Sequence, residues 1–166
     1  MIQDDIKVVK NPGTVRIYQT SDWTTEPSRS ATMKPGEPVK DCPDGHQATL
    51  IEDGDPALGT DVFLGIIDAE STDTSMADGE VKVVTLITGT VLRGKANTAG
   101  NLTAANLLLY YNNNVLFNVA SGAFTIDENL ADDPNVNGLR IIAGDVKMGT
   151  LDVIPHLMVT EHAPYL

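Results

Sequence analysis

The sequence predicts a mainly β domain, and three observations lead there. The stretch Glu80–Lys95, EVKVVTLITGTVLRGK, is a long β-type run. Extended side chains alternate, so Val81, Val83, Ile87 and Val91 fall on one face and Val84, Leu86 and Leu92 on the other. Apolar groups on both faces mark a central strand covered on both sides, or two strands joined at Gly89. The other apolar runs are short and separated by Gly, Pro and Asp-Gly turns, as in sandwiches and barrels. Aromatic residues make up only 5% of the chain, so Val, Ile, Leu and Ala must fill the core.

The 166 residues suit one domain with a sizeable core. Along the chain, Ile6, Val8, Val9, Val15 and Ile17 form one or two short strands broken by the turn signal Asn11-Pro12-Gly13. Thr20 to Thr32 is rich in Ser and Thr and holds Pro27 and the single Trp23, so it reads as an arm or long loop. Trp23 either caps the edge of the core or anchors the arm in a neighbouring subunit, where Trp is enriched. Residues 1–32 are therefore expected to be an N-terminal arm and loop, and residues 33–166 a single β-rich domain.

From Met33 the pattern sharpens. A turn at Lys34–Pro38 leads into a strand at Val39, and Asp41–Gly45 is a second turn. Ala48–Ile51 and Val62–Ile67 are strands, and Glu70–Gly79 is a polar loop feeding the central run. Beyond Arg93, Thr103 is placed to cap a short helix through Leu107 and Leu108, while the run Leu107 to Tyr111 fits a strand equally well, since so short an apolar run does not separate the two. A β-hairpin is expected next, turning at Asn112–Asn114. Leu139–Ala143 is a strand, and Leu151–Val159 is the last, interrupted by Pro155. Proline donates no ladder hydrogen bond, so that strand lies at an edge or bulges there.

A net charge of −12, from 23 acids and 11 bases, argues against nucleic acid or anionic lipid as partner. The single Cys42 forms no intrachain disulfide and sits beside acids that disfavour a thiolate. No apolar run reaches the roughly 20 residues that span a bilayer. The segment MIQDDIKVVK has no apolar h-region and carries early acids, unlike a secretory signal, so synthesis and folding in a cytosol are expected.

No chemical motif emerges. His46, His156 and His162 are not spaced as zinc ligands, and the acidic pairs at Asp53–Asp55 and Asp132–Asp133 do not follow the EF-hand loop. Asp beside Gly is first of all a turn former. Ser121-Gly122 lies outside a nucleophile elbow, and Arg93-Gly94-Lys95-Ala96 lacks the hydroxyl a phosphate loop places on magnesium. No catalytic, metal or cofactor site is expected.

Residues 34–96 read KPGEPVK, then an acidic turn, then DVFLGIIDAESTDT, then DGEVKVVTLITGTVLRGKA. This layout resembles the small head decoration, or cement, proteins of tailed bacteriophages. The resemblance implies a compact β-barrel or β-tulip fold with an extended N-terminal arm and at most one or two short helices. It implies a non-enzymatic virion protein, made in the host bacterial cytoplasm and carried on the outer capsid surface. Its partners would be the major capsid protein and itself, as a homotrimer or a dimer. Contact candidates are Val15, Ile17, Tyr18 and Trp23 on the arm, with Arg93 and Lys95 at the exit of the central strand. Two other readings use the same β-rich plan. One is a tail, fibre or carbohydrate-binding module, and the other is a small trimeric hydrolase.

Overall fold

In a computed structural model, residues 6–20, 33–42, 47–72 and 79–160 are described. The expected central run is strand β5, Glu80–Lys95, the longest in the molecule. Before it come β1 (Lys7–Gln19), β2 (Pro38–Cys42), β3 (Gln47–Leu50) and β4 (Phe63–Ala69). After it come helix α1 (Ala104–Tyr110), then β6 (Asn114–Val115), β7 (Phe117–Ala120) and β8 (Ala123–Ile126). The chain closes with β9 (Leu139–Asp145) and β10 (Thr150–Pro155). The fold is mainly β, as expected, with one curled antiparallel sheet that forms half a barrel.

β5 organises that sheet because three strands pair with it. Val84 pairs with both Val15 of β1 and Ile66 of β4, and Leu92 pairs with both Val8 of β1 and Val153 of β10. A strand residue has one neighbour on each side. β1 therefore runs along one edge of β5, while β4 and β10 share the other edge end to end. From there the sheet continues through β2 to β3 on one wing, and through β9 to β6 on the other.

The bend lies between the wings, and two turn signals far apart in sequence meet there. Gly89 has φ +82° and Asn11 has φ +49°. Asn11 Nδ2 donates to Gly89 O at 2.9 Å, and Thr90 Oγ1 donates to Asn11 O at 2.6 Å. Thr85 Oγ1 donates to Thr14 O at 2.8 Å. Gly13 lies against Thr85 so closely that a Cβ there would sit 2.5 Å from Thr85 Oγ1. Asn11-Pro12-Gly13 is thus a set of bulges in one continuous strand, with register shifts on either side, and not a break between two strands.

Alternation along β5 feeds two cores on opposite faces. Val81 and Val83 pack with Met33, Val39, Ala48, Leu64 and Ile67. Leu86 and Leu92 belong to the larger core, with Ile6, Phe63, Ile66, Ile126, Ile141 and Val153. β4 serves both cores through a bulge at Gly65, where β2 pairs Val39 with Gly65 and then Lys40 with Phe63. The extra residue puts Phe63 and Ile66 on the same face, although odd spacing would oppose them. Gly65 has φ +151°, and a Cβ there would run into the Val84 carbonyl.

The β7–β8 hairpin closes the larger core. Phe117 meets Phe63 edge-on, with ring centroids 5.6 Å apart and planes at 84°. The hairpin turns at Ser121-Gly122, both at positive φ, as a tight two-residue turn requires. The hairpin expected at Asn112–Asn114 is therefore placed later in the chain. The asparagines instead leave α1 and enter β6, with Asn112 at φ +68°. Thr103 caps α1 as expected, its side chain accepting from the Asn106 N–H. Pro155 ends β10 two residues after its pairing with β5 has stopped at Val153, so its missing N–H falls on a locally open edge.

The main departure from the sequence reading concerns the described part of the expected arm, residues 6–20. Lys7–Gln19 does not extend away as an arm. It is a 13-residue strand of the main sheet, and Ile6 just before it is fully buried in the larger core. Residues 21–32, including Trp23, lie outside the described residues.

Candidate interaction surface

Among the described residues no strand pairs along the second edge of β1. Two contacts flank it. The Ile6 N–H donates to Gly36 O, and Thr20 bridges Ala48. An open edge presents unpaired N–H and C=O groups and is a template for another strand unless it is guarded.

The two halves of β1 differ in this respect. From Lys7 to Thr14 the strand carries Lys7, Lys10 and Pro12, and its register slips three times before Val15. Lysine, proline and bulges are the usual guards of an edge strand. From Val15 to Gln19 the register against Val84–Glu80 is unbroken. There Val15 is 52% and Ile17 59% exposed. They pair with Val84 and Lys82, so they share the larger core's face of β5, past the point where that core ends. This half is a regular edge free of proline and bulges, with Arg16 its one charge and two apolar side chains turned to solvent. β1 holds three bases, Lys7, Lys10 and Arg16, and no acid, on a chain of net charge −12.

The other expected contact residues are placed differently. Tyr18 pairs with Val81 and packs against the smaller core, on the face opposite Val15 and Ile17. Arg93 and Lys95 lie at the far end of the ribbon, where Lys7 pairs with Arg93. Arg93 makes a two-pronged ion pair with Asp152, Nε to Oδ1 at 2.7 Å and Nη2 to Oδ2 at 2.9 Å. That bond, then the charge of Asp152, raises the guanidinium pKa further above its usual range. Lys95 Nζ donates to Met148 O at 2.8 Å. Both cations tie β5 to β10 and its turn. The structure brings Val15 and Ile17 together and sets Arg93 and Lys95 apart from them.

The polar clusters serve the fold. Lys40 is buried on β2, with Asp55 Oδ2 at 2.6 Å, Asp61 Oδ1 at 3.4 Å and Glu52 Oε2 at 3.8 Å. Burial disfavours the ammonium, but the Asp55 hydrogen bond and the surrounding carboxylates outweigh it and hold the Lys40 pKa above its ordinary value. Asp55 Oδ2 also accepts from the Glu52 N–H, and Asp61 Oδ2 from the Ala57 N–H, so the cluster staples the loop between β3 and β4. Buried Glu128 accepts from the N–H groups of Asn97 and Thr98. Asp53 caps Val119, and Asp132 accepts from both nitrogens of Asn114, which lowers its pKa. The acidic pairs are turn and cap formers, as their sequence suggests. Among the described residues no group of three or more His, Cys, Asp or Glu is placed to hold a metal ion. An open cleft of about 470 Å³ lies at the bend, lined in part by Ile87, Gly89, Arg140 and His156. His46 and His162 lie outside the described residues.

No protein-family description, characterised protein or solved structure matches this chain.

Proposed function

We propose that this chain is a structural protein of a tailed-bacteriophage particle, binding the outside of the expanded capsid and bridging major capsid protein subunits. The observation that carries the reading is the Val15–Gln19 half of β1. It is an edge in regular register, open among the described residues, with Val15 and Ile17 exposed, on a strand with bases and no acids. Such an edge accepts an extended segment as an added strand. Main-chain hydrogen bonds supply affinity, and alternate side chains supply selectivity. The charge of β1 selects an acidic or neutral segment on the capsid.

The role needs binding and no chemistry. A protein that binds only the expanded shell stabilises that state by mass action. Several weak footprints, joined in a homotrimer, gain avidity from effective concentration. An acidic body suits the solvent side of a shell packed with nucleic acid.

The test mixes the purified protein with expanded capsids and with unexpanded procapsids, and counts bound copies by sedimentation and imaging. Stoichiometric decoration of the expanded shell, lost in a Val15→Asp, Ile17→Asp variant that melts like the parent, is the expected result. Binding to neither shell overturns the proposal.

A further inference from the structure

A second surface, also apolar and exposed, differs from β1 in charge. No Asp, Glu, Lys, Arg or His occurs between Lys95 and Asp127, in a chain of which 20% is charged. At that frequency a stretch of this length would carry about six charges. The stretch is not simply buried. It contains α1, which has no buried residue, and the turn of the β7–β8 hairpin. Leu108 is 81% exposed and Leu109 72%, and Tyr111 beside them is 55% exposed. Only the opposite side of the helix is engaged. Leu107 packs against β9 so closely that a Cβ on Gly144 would lie 2.7 Å from Leu107 Cδ1.

Two adjacent leucines in water on a helix of seven residues need an explanation, since so short a helix gains little from its own hydrogen bonds. Apolar side chains without charges are the composition of an interface core.

We propose that the α1 face is where two copies of this chain meet. The argument for a second copy is electrostatic. Copies carrying −12 each repel one another wherever their acids face, and a self-pairing surface brings the same patch of both copies together. β1 suits self-pairing poorly, because the three bases of one strand, Lys7, Lys10 and Arg16, would approach the bases of the other with no acid between them. The α1 face suits it better, because the stretch that carries the helix, residues 96–126, has no charge of its own. A cationic partner would be better served by any of the acidic surfaces elsewhere, and this face forgoes that attraction. Leu108, Leu109 and Tyr111 of one copy pack on those of the next. The proposal stands whether or not the protein binds a capsid.

The test is sedimentation equilibrium of the whole chain across protein concentration and salt. The wild type is expected to self-associate. Association should strengthen as ionic strength rises from about 0.01 M to about 1 M, where screening falls from about 30 Å to about 3 Å and the −12 copies cease to repel. The Leu108→Asp, Leu109→Asp variant is expected to associate at least about tenfold more weakly. Because α1 buries no residue, its melting as a single chain should match the wild-type monomer, and Leu108→Ser, Leu109→Ser provides an uncharged control. A wild type that stays a single chain overturns the proposal. So does association that weakens with salt, or that both variants retain.

Discussion

Replacing Ile6 by Ala tests whether the first strand belongs to the body of the protein. Ile6 is fully buried, in contact range of Gly94 and in one core with Ile126. The substitution removes three carbons, each contributing about 0.8 kcal/mol when buried. A cavity term follows, because the hairpin and β5 close only partly over the gap, and the total comes to ~3 kcal/mol. For a domain of this size that corresponds to roughly 6–12 °C in Tm. Ile17→Ala is the matched control on the same strand. Ile17 is 59% exposed, and its truncation should change stability by no more than about 0.5 kcal/mol. The assay is urea unfolding of both variants, with the slope checked for constancy so that the midpoints report stability alone. A loss below about 1 kcal/mol for Ile6→Ala would refute the reasoning, since a residue in a peelable arm costs little to truncate. Deleting residues 1–20 should then unfold the domain, because it uncovers a whole edge of β5 and opens the larger core.

Two further substitutions probe other parts of the frame. Gly65→Ala forces a side chain into a glycine-only conformation and against the Val84 carbonyl, so it should cost more than about 2 kcal/mol in the same urea assay. Lys40→Met leaves Asp55 and Asp61 buried without their cation and should cost about 3–5 kcal/mol at neutral pH. In the wild type the raised pKa of Lys40 makes its contribution complete below the ordinary lysine value of 10.5. It is lost as pH rises through the raised value, so the gap between wild type and Lys40→Met should narrow in strongly alkaline solution, as read by thermal melts.

Much of this frame was legible in the sequence, and what was missed has physical reasons. β5 was readable to its ends because both of its faces alternate and its flanks are turns. Gly89 and Asn11-Pro12-Gly13 were each readable as bends, but not as one bend, because their pairing joins residues far apart in the chain. For the same reason Lys7–Gln19 reads as an arm. Its outer positions are mostly exposed, and its partner strand lies elsewhere in the sequence. Ser121-Gly122 is a tight-turn dipeptide between two β-type runs, a signal that could have located the β7–β8 hairpin. Of the expected contact residues, Val15 and Ile17 fall on an open surface. Arg93, Lys95 and Tyr18 are instead engaged by Asp152, the Met148 carbonyl and the smaller core, which reach them from segments that local pattern does not connect. The Lys40 cluster carried no signal, since a lysine in VKD reads as an ordinary surface charge.

The proposed capsid-binding edge is Val15–Gln19. Hydrogen–deuterium exchange, measured on the protein alone and on expanded capsids, tests it directly. An added strand should slow exchange at the alternate amides of Val15–Gln19 that face the open edge, while amides already bonded to β5 keep their protection. Equal exchange across Val15–Gln19 in the free and capsid-bound protein would contradict the account.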